Sequence, residues 1–289
     1  ALRHLVDFIP QWRVDDVMVS YAVDGGGVGP HFDNYDVFLL QGEGERLWRL
    51  GQYCDTTTAL LPHDELRILR DFECTSEYLL RPGDMLYVPP RIAHWGIAQG
   101  ECTTFSIGLR APRVTEMVSR WVDRLLEQLD PEDFYSDGRL EPAVRPGEIR
   151  PRDLERVTAQ LQAALDQGSG NHWFGELVSE PKYEGQMVDP DEAWGSQKSA
   201  QQLDPDRDTV KLDSAGRLFW QHEAEGVAVF ANGLSLTFGE NVLTLVEALC
   251  GRWRLDAEEL RRAVAEPEAM RLLDFLLDCG CIYVEQGNG

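Results

Sequence analysis

Short apolar segments separated by turns dominate the first third of the chain. Residues that favour β-structure, some alternating with polar ones, predict strands at residues 17–23, 35–41, 46–50, 85–88 and 102–109. Pro82-Gly83-Asp84 predicts a turn, and Pro89-Pro90 ends the strand before it. Many short strands joined by such turns are typical of a double-sheet jelly roll.

The apolar period becomes helical after Ala111-Pro112. Amphipathic helices are predicted over residues 114–129, 152–167 and, shorter, 172–178. Each apolar stripe must bury against something, and the pattern alone allows either an internal core or a partner subunit. The polar stretch at 180–205 contains proline, glycine, glutamine and serine, and it predicts a linker or a long surface loop.

The last part of the chain combines strands and helices. Asn232-Gly233, a strong hairpin signal, separates two of its apolar segments. The pattern predicts strands at 217–221, 227–231, 234–238 and 281–285, and helices at 241–249, 256–263 and 266–278. Strands around three helices are typical of a winged-helix domain.

Charge narrows the partners that the protein can bind. The 289 residues include 27 Lys and Arg against 50 Asp and Glu, a formal net charge of −23. From Pro205 onward, 8 basic residues face 15 acidic ones, which argues against direct DNA binding by the winged helix. A chain this acidic attracts basic proteins instead.

Other sequence features bear on location. No apolar run approaches the ~18 residues of a membrane helix, and the start lacks a secretory signal pattern. The six scattered cysteines fit reduced thiols, so we expect a cytoplasmic protein. The chain starts with Ala1 and not with Met, which suggests processing or truncation.

The segment around His31 contains the residues best suited to chemistry. In His31-x-Asp33 the two side chains share one face of an extended backbone. His94, which follows the Pro-Gly-Asp turn, a strand and Pro89-Pro90, is the best third ligand. Two histidines and one carboxylate bind Fe(II) on one face and leave positions open for a cosubstrate and O2. The alternative is a pair of unrelated, hydrogen-bonded histidines.

Arg46 follows the first ligand by fifteen residues, at the start of the next strand. Open iron positions suit a 2-oxo acid, and a dicarboxylate cosubstrate needs a cation for its far carboxylate. Arginine grips a carboxylate with a bidentate fork. We therefore predict that Arg46 binds the cosubstrate, against the alternative of a surface arginine beside Glu43 and Glu45.

Three segments together, residues 25–51, 81–94 and 105–112, resemble the JmjC-type ribosomal oxygenases. Within that group the chain is most similar to the bacterial 50S ribosomal protein arginine hydroxylases. The segment His172-Trp173-Phe174-Gly175-Glu176 and the Asn232-Gly233 tail fit the same family, so the resemblance covers essentially the whole chain.

This resemblance implies an α+β protein in three parts. Residues 1–112 would form a JmjC jelly-roll (cupin) catalytic domain, incomplete at its N-terminus. Residues 113–204 would form a helical dimerisation region and a linker, and residues 205–289 a winged-helix domain. A homodimer is expected, with no membrane association.

The resemblance also implies a reaction. Fe(II), 2-oxoglutarate and O2 would hydroxylate an arginine β-carbon of a basic large-subunit ribosomal protein of the L-sixteen family. His31, Asp33 and His94 match the family's iron ligands, and Arg46 matches its 2-oxoglutarate residue. No catalytic side chain beyond the metal ligands is required. Tyr35 and Asp36, which adjoin the ligand motif, are candidate substrate-binding residues.

The chain departs from the family pattern at the first strand. A serine there helps to hold the cosubstrate in the family, and Ala22 stands at the matching position, with Ser20 two residues earlier on the same face. Two alternatives stay open. The protein could be a hydroxylase or demethylase of another protein side chain, or a metal-binding, cupin-like interaction module without turnover. A winged-helix nucleic-acid binder is disfavoured by charge.

Overall fold

The computed structural model describes residues 5–63, 66–137, 142, 144–166, 168, 170, 172–182, 189–194 and 199–286. The chain forms two compact units that divide between Ala111 and Pro112. None of the described helices combines the length and the apolar character needed to span a membrane.

Seven strands build the first unit: β1 (Val14–Ala22), β2 (Val37–Gln41), β3 (Glu45–Tyr53), β4 (Ser76–Leu80), β5 (Met85–Val88), β6 (Ile92–Gln99) and β7 (Cys102–Leu109). They form two antiparallel sheets with strand orders β1-β7-β2-β5 and β4-β3-β6. Buried side chains from both sheets share one apolar cluster: Val37, Leu39, Trp48, Leu80 and Val88. This double-sheet arrangement confirms the predicted jelly roll.

Two of these strands, β4 and β6, were not predicted. The segment Ile92–Gln99 contains Ala93, Gly96 and Ala98, which are poor strand formers. It is a strand because it pairs along the length of β3, with Trp48 opposite Gly96 and Leu50 opposite His94. Tertiary pairing therefore outweighs local propensity in this segment, and it places His94 within a strand.

The second unit contains the helices α1 (Val114–Gln128), α2 (Pro151–Asp166), α3 (His172–Ser179), α4 (Pro190–Trp194), α5 (Leu243–Arg252), α6 (Ala257–Ala265) and α7 (Pro267–Asp278). Its strands are β8 (Asp208–Leu212), β9 (Leu218–Glu223), β10 (Gly226–Ala231), β11 (Leu234–Phe238) and β12 (Ile282–Gln286). They pair as β11-β10-β9 and β12-β8. The predicted helices and strands are present within a few residues of their predicted ends.

The hairpin between β10 and β11 illustrates how the sequence directs this unit. Asn232 and Gly233 have φ values of 47° and 87°. Two consecutive positive φ values match the twist of a two-residue hairpin, and asparagine and glycine adopt them most easily. The hairpin keeps β10 at the centre of its sheet, where all six of its residues are buried.

Part of the predicted linker packs into the core of this unit. Ala193 and Trp194 on α4, and then Ala200 and Leu203, belong to the same buried cluster as the helices α5–α7. The indole of Trp194 donates a 3.0 Å hydrogen bond to Asp278. The expectation of a linker or surface loop is therefore wrong for these residues, whereas residues 183–188 and 195–198 of that stretch lie outside the described residues.

Candidate metal centre

The two histidines of the predicted triad are held by backbone pairing. His31 donates its N–H to the carbonyl of His94 at 3.0 Å, and His94 donates to the carbonyl of His31 at 2.8 Å. This isolated bridge brings the loop before β2 onto β6, although the two residues are far apart in sequence. Phe32 points away into a buried cluster with Cys54, Leu69 and Ala93. The alternation around Phe32 leaves His31 and Asp33 on the other face.

The three predicted ligands converge. One ligand atom each from His31, Asp33 and His94 lies within 4.8 Å of the others. The carboxylate Oδ2 of Asp33 lies 3.6 Å from Nε2 of His94, and the two imidazole centroids are 4.3 Å apart. The backbone carbonyl of Asp33 also accepts from the N–H of Arg91 at 2.7 Å, which fixes the segment that carries the carboxylate.

The second nitrogen of each ring orients it. Nδ1 of His31 lies 2.9 Å from the carbonyl of Gly29, and Nδ1 of His94 lies 3.0 Å from the carbonyl of Ile92. A carbonyl accepts only from a protonated nitrogen, so in the neutral rings Nε2 keeps its lone pair. Burial, with the nearby His31 ring, lowers the pKa of His94. Two imidazoles and one carboxylate fit a divalent first-row metal ion.

Arg46 lies on the same face of the neighbouring strand as this triad. Its side chain is buried, with 5% exposure. Nη1 donates to the hydroxyls of Ser20 at 3.1 Å and Thr104 at 3.3 Å, and the Thr104 hydroxyl in turn donates to Gln41. Nε has no hydrogen-bond partner among the described residues. Burial lowers the pKa of Arg46, as expected for a cation that has no ionic partner among the described residues.

A buried guanidinium whose Nε has no hydrogen-bond partner is suited to binding an anion. Buried charges are normally paired, and an unmet buried donor costs about 1–3 kcal/mol. Arg49, which points to the other face of β3, contrasts with Arg46 because it is paired with Glu77 at 2.6 Å and lies partly exposed. The buried position of Arg46 beside the triad therefore fits a carboxylate-binding site.

The glycine run before the ligand motif lies against the same strand. Gly25 donates to the carbonyl of Ala98, and Ala98 donates to the carbonyl of Gly26, both at 2.9 Å. A Cβ on Gly27 would lie 2.2 Å from the carbonyl oxygen of Gly96 and 3.9 Å from Nη2 of Arg46. This run lets the backbone approach β6 closely beside Arg46.

Sequence reasoning did not assign Ser20, Thr104 and Gln41 to the site. Ser20 and Thr104 are register partners on β1 and β7, and together they hold Nη1 of Arg46. Ala22 pairs with Cys102 at the end of β1. The usable signal was strand alternation, because Ser20 and Ala22 share a face, but the pairing of β1 with β7 cannot be read from the sequence.

The two candidate substrate-binding residues lie on the segment between the triad and β2. Asp36 already accepts from Nη2 of Arg13 at 3.0 Å and from the hydroxyl of Tyr87 at 2.6 Å. The Tyr87 pKa is raised by that hydrogen bond to the Asp36 carboxylate. Tyr35 is 41% exposed. A substrate that used Asp36 would therefore share its carboxylate with Arg13 and Tyr87, and both substrate-binding roles remain predictions.

Two known protein families match different parts of this chain. Residues 1–117 match the JmjC domain family, and residues 163–282 match the ROXA-like winged-helix family. The latter match confirms the predicted winged helix. The boundaries predicted at residues 112 and 204 stay predictions.

The chain is similar to two bacterial proteins along most of its length. The ribosomal protein uL16 3-hydroxylase of Escherichia coli is 31% identical, over 96% of this chain and 72% of that protein. A probable ribosomal oxygenase of Haemophilus influenzae is 34% identical, over 97% and 71% respectively.

Solved structures agree. The structure of E. coli YcfD matches with a TM-score of 0.78 and 30% identity over 99% of this chain and 75% of that chain. A structure of the E. coli ribosomal oxygenase YcfD with cobalt and 2-oxoglutarate matches with a TM-score of 0.76 and 28% identity, over 98% and 74%. A JmjC jelly roll and a ROXA-like winged helix in one chain, with relatives of this identity and coverage, place the protein in the JmjC ribosomal oxygenase family.

Proposed function

We propose that the protein is an Fe(II)- and 2-oxoglutarate-dependent oxygenase that hydroxylates an arginine side chain of a large-subunit ribosomal protein. The observation that carries this proposal is the buried guanidinium of Arg46, which has no acidic partner among the described residues and lies on the same side of a jelly roll as a two-histidine, one-carboxylate triad. The names of the relatives support a ribosomal substrate, and the relative solved with cobalt and 2-oxoglutarate supports that cosubstrate.

His31, Asp33 and His94 would hold the metal ion. Bound Fe(II), with 2-oxoglutarate and O2, supplies the oxidising chemistry that decarboxylates the cosubstrate and hydroxylates a substrate carbon. The protein contributes position. The carbonyls of Gly29 and Ile92 fix the two rings, so their Nε2 atoms stay available without a conformational search.

Arg46 would bind the far carboxylate of 2-oxoglutarate. Ser20 and Thr104 occupy Nη1, which holds the guanidinium plane and leaves Nε for a ligand. Because the side chain is 95% buried by its neighbours, the ion pair would form away from bulk water and be stronger than a surface pair. The cosubstrate would thus be oriented at both ends.

Recognition of a basic substrate would depend on the negative charge of this protein. A net charge of −23 attracts basic ribosomal proteins, particularly at low ionic strength. Tyr35 and Asp36 remain our candidates for local contacts. Hydroxylation of another side chain, or demethylation, would use the same metal and cosubstrate residues, so only the product can identify the target.

Mass spectrometry of the product tests the function. We expect large-subunit ribosomal proteins incubated with this chain, Fe(II), 2-oxoglutarate and O2 to gain one oxygen on one arginine. Replacing Arg46 by methionine should abolish the gain, because the cosubstrate loses its counter-ion. The matched control is Arg49→Met on the same strand, whose side chain pairs with Glu77 outside the site and which should keep most of the activity.

Other products would revise the proposal. One oxygen on a histidine, or loss of a methyl group from lysine, would refute the arginine target and keep the oxygenase. Ribosomal proteins unchanged by a chain that still converts 2-oxoglutarate to succinate would refute the ribosomal substrate. A chain that binds metal but converts no 2-oxoglutarate would favour the interaction module.

We also propose that the protein forms a homodimer through α1 and α2. Both helices are amphipathic, yet α2 has no buried residue and α1 buries only Leu125. The apolar residues that stay exposed on them are Val114, Val118, Leu126, Leu154, Val157, Leu161 and Leu165. Exposed apolar side chains on amphipathic helices are typical of a face that another subunit covers.

Sedimentation can test the dimer. Leu161 on α2 is 60% exposed, and we expect Leu161→Glu to convert a dimer into a monomer at micromolar concentration, since a charge would enter the interface. Leu234→Glu, at a 55% exposed leucine of the β10–β11 hairpin, should leave the dimer intact. A monomeric wild-type chain, or a Leu161→Glu variant that remains dimeric, would contradict this assignment.

A further inference from the structure

Besides Nε of Arg13, two buried donors in the first unit lack a hydrogen-bond partner among the described residues: Nε of Arg46 and the indole Nε1 of Trp48. Both side chains are 5% exposed. Folded proteins leave few buried N–H groups unpaired, because each forfeits the hydrogen bond that it makes to water when exposed. Two such groups on neighbouring inward-facing positions of one strand therefore indicate a ligand that accepts hydrogen bonds.

The two side chains face the same glycine. Arg46 and Trp48 share one face of β3, and Trp48 pairs with Gly96 on β6. A Cβ on Gly96 would lie 2.7 Å from Nε of Arg46, 2.7 Å from Cη2 of Trp48 and 2.9 Å from its Cζ2. Cζ2 belongs to the indole edge that carries Nε1, so the missing Cβ lets both side chains pack closely against the backbone of β6.

Trp48 also lies between the cation and the metal triad. Along the paired strands, Arg46 faces Ala98, Trp48 faces Gly96, and Leu50 faces His94. The Trp48 ring is 5.0 Å from the Arg46 guanidinium carbon and 6.0 Å from the His94 ring. A molecule that reached from the triad to Arg46 would pass this indole.

We infer that Trp48 is a binding residue for the cosubstrate, donating its indole N–H to the carboxylate that Arg46 holds. This inference rests on the proposed function, since it takes 2-oxoglutarate as the ligand. A carboxylate offers several lone pairs and can accept from Arg46 Nε and Trp48 Nε1 together, whereas a water that accepted both bonds would leave the guanidinium charge unpaired. Trp48 would therefore determine affinity for the anion and take no part in the chemistry.

Binding to the Zn(II)-loaded protein tests this directly, because Zn(II) accepts the same donors and is redox-inactive. Calorimetry should show that 2-oxoglutarate binds Trp48→Phe about tenfold or more weakly than wild type, the loss expected for one hydrogen bond to a charged group. The matched control is Trp95→Phe. Trp95 lies next to His94 on the opposite face of β6, where it packs against Phe72 and Arg49, and its loss should leave the affinity unchanged.

The indole N–H resonances of the wild-type protein provide a readout independent of the variant's stability. The Trp48 resonance, identified by its absence from Trp48→Phe, should move and exchange more slowly with water when 2-oxoglutarate is added. Wild-type binding with an unmoved Trp48 resonance, or equal affinity in Trp48→Phe, would overturn the inference and leave the proposed function intact. A wild-type protein that binds no 2-oxoglutarate would overturn both.

Discussion

Replacing Asp33 by alanine is expected to abolish turnover of 2-oxoglutarate and to weaken metal binding by at least about a hundredfold. Removing a partner outside the coordination sphere already costs ten- to hundredfold, and Asp33 would contribute the one anionic ligand. Its Oδ2 lies 3.6 Å from Nε2 of His94, inside the cluster of ligand atoms. Fe(II)-dependent succinate production should fall below about 1% of the wild-type rate.

Thermal unfolding separates this effect from misfolding. A metal that binds only the folded state raises the melting temperature, so added Zn(II) should stabilise wild type and leave Asp33→Ala unchanged. Asp36→Ala is the matched control, because Asp36 lies on the same segment but pairs with Arg13 and Tyr87. It should keep the stabilisation by metal. An Asp33→Ala variant that Zn(II) stabilises as much as wild type would show that the metal binds elsewhere.

The triad was predictable because its geometry follows from strand alternation. His31-x-Asp33 needs only an extended backbone to place both side chains on one face. His94 was harder, since the strand that carries it contains small residues and was not predicted. Its position depends on pairing between β6 and β3, with His94 opposite Leu50, which is a property of the whole sheet.

The surroundings of Arg46 could not be predicted for the same reason. Ser20 and Thr104 meet at its Nη1 only because β1 and β7 pair in one register, and a one-residue shift of β1 would turn the Ser20 hydroxyl away. The unpaired Nε is likewise visible only after burial is known. The sequence identifies an arginine fifteen residues after His31. The lack of a counter-ion among the described residues is seen only in the folded structure.

For the motif His172-Trp173-Phe174-Gly175-Glu176, the sequence indicated the family but not the structural role. It supported the family resemblance, but its physical role was not predictable. A Cβ on Gly175 would lie 2.4 Å from the ring of Phe230, so the glycine lets α3 pack closely against β10. His172 packs edge-on against the same ring at 5.6 Å and lies 2.7 Å from Glu223. The motif therefore attaches α3 to the sheet of the second unit.

We expect the attachment of α3 to this sheet to depend on Glu176, a buried acid at the end of the motif. It is 3% exposed. One carboxylate oxygen accepts from Nε of Arg124 on α1 at 2.9 Å and from its Nη2, and the other accepts from Ser235 on β11 at 2.7 Å. Hydrogen bonds to Glu176 and Glu127 raise the pKa of Arg124, which therefore stays charged. One side chain thus joins α1, α3 and β11.

Replacing Glu176 by alanine should lower the free energy of unfolding by about 2–4 kcal/mol. Breaking a buried ion pair costs about 3–5 kcal/mol, and the 36% exposure of the Arg124 side chain, which water can solvate, reduces that figure. For a unit of this length the melting temperature should fall by roughly 5–15 °C.

Glu127→Gln removes an acid that pairs with the same arginine but is 62% exposed, and it should cost less than about 1 kcal/mol. Equal losses in the two variants, measured by calorimetry or denaturant unfolding, would show that burial of Glu176 adds nothing. A larger loss for Glu176→Ala would instead assign the stability of the α1–α3 contact to this carboxylate, independently of any metal or cosubstrate in the first unit.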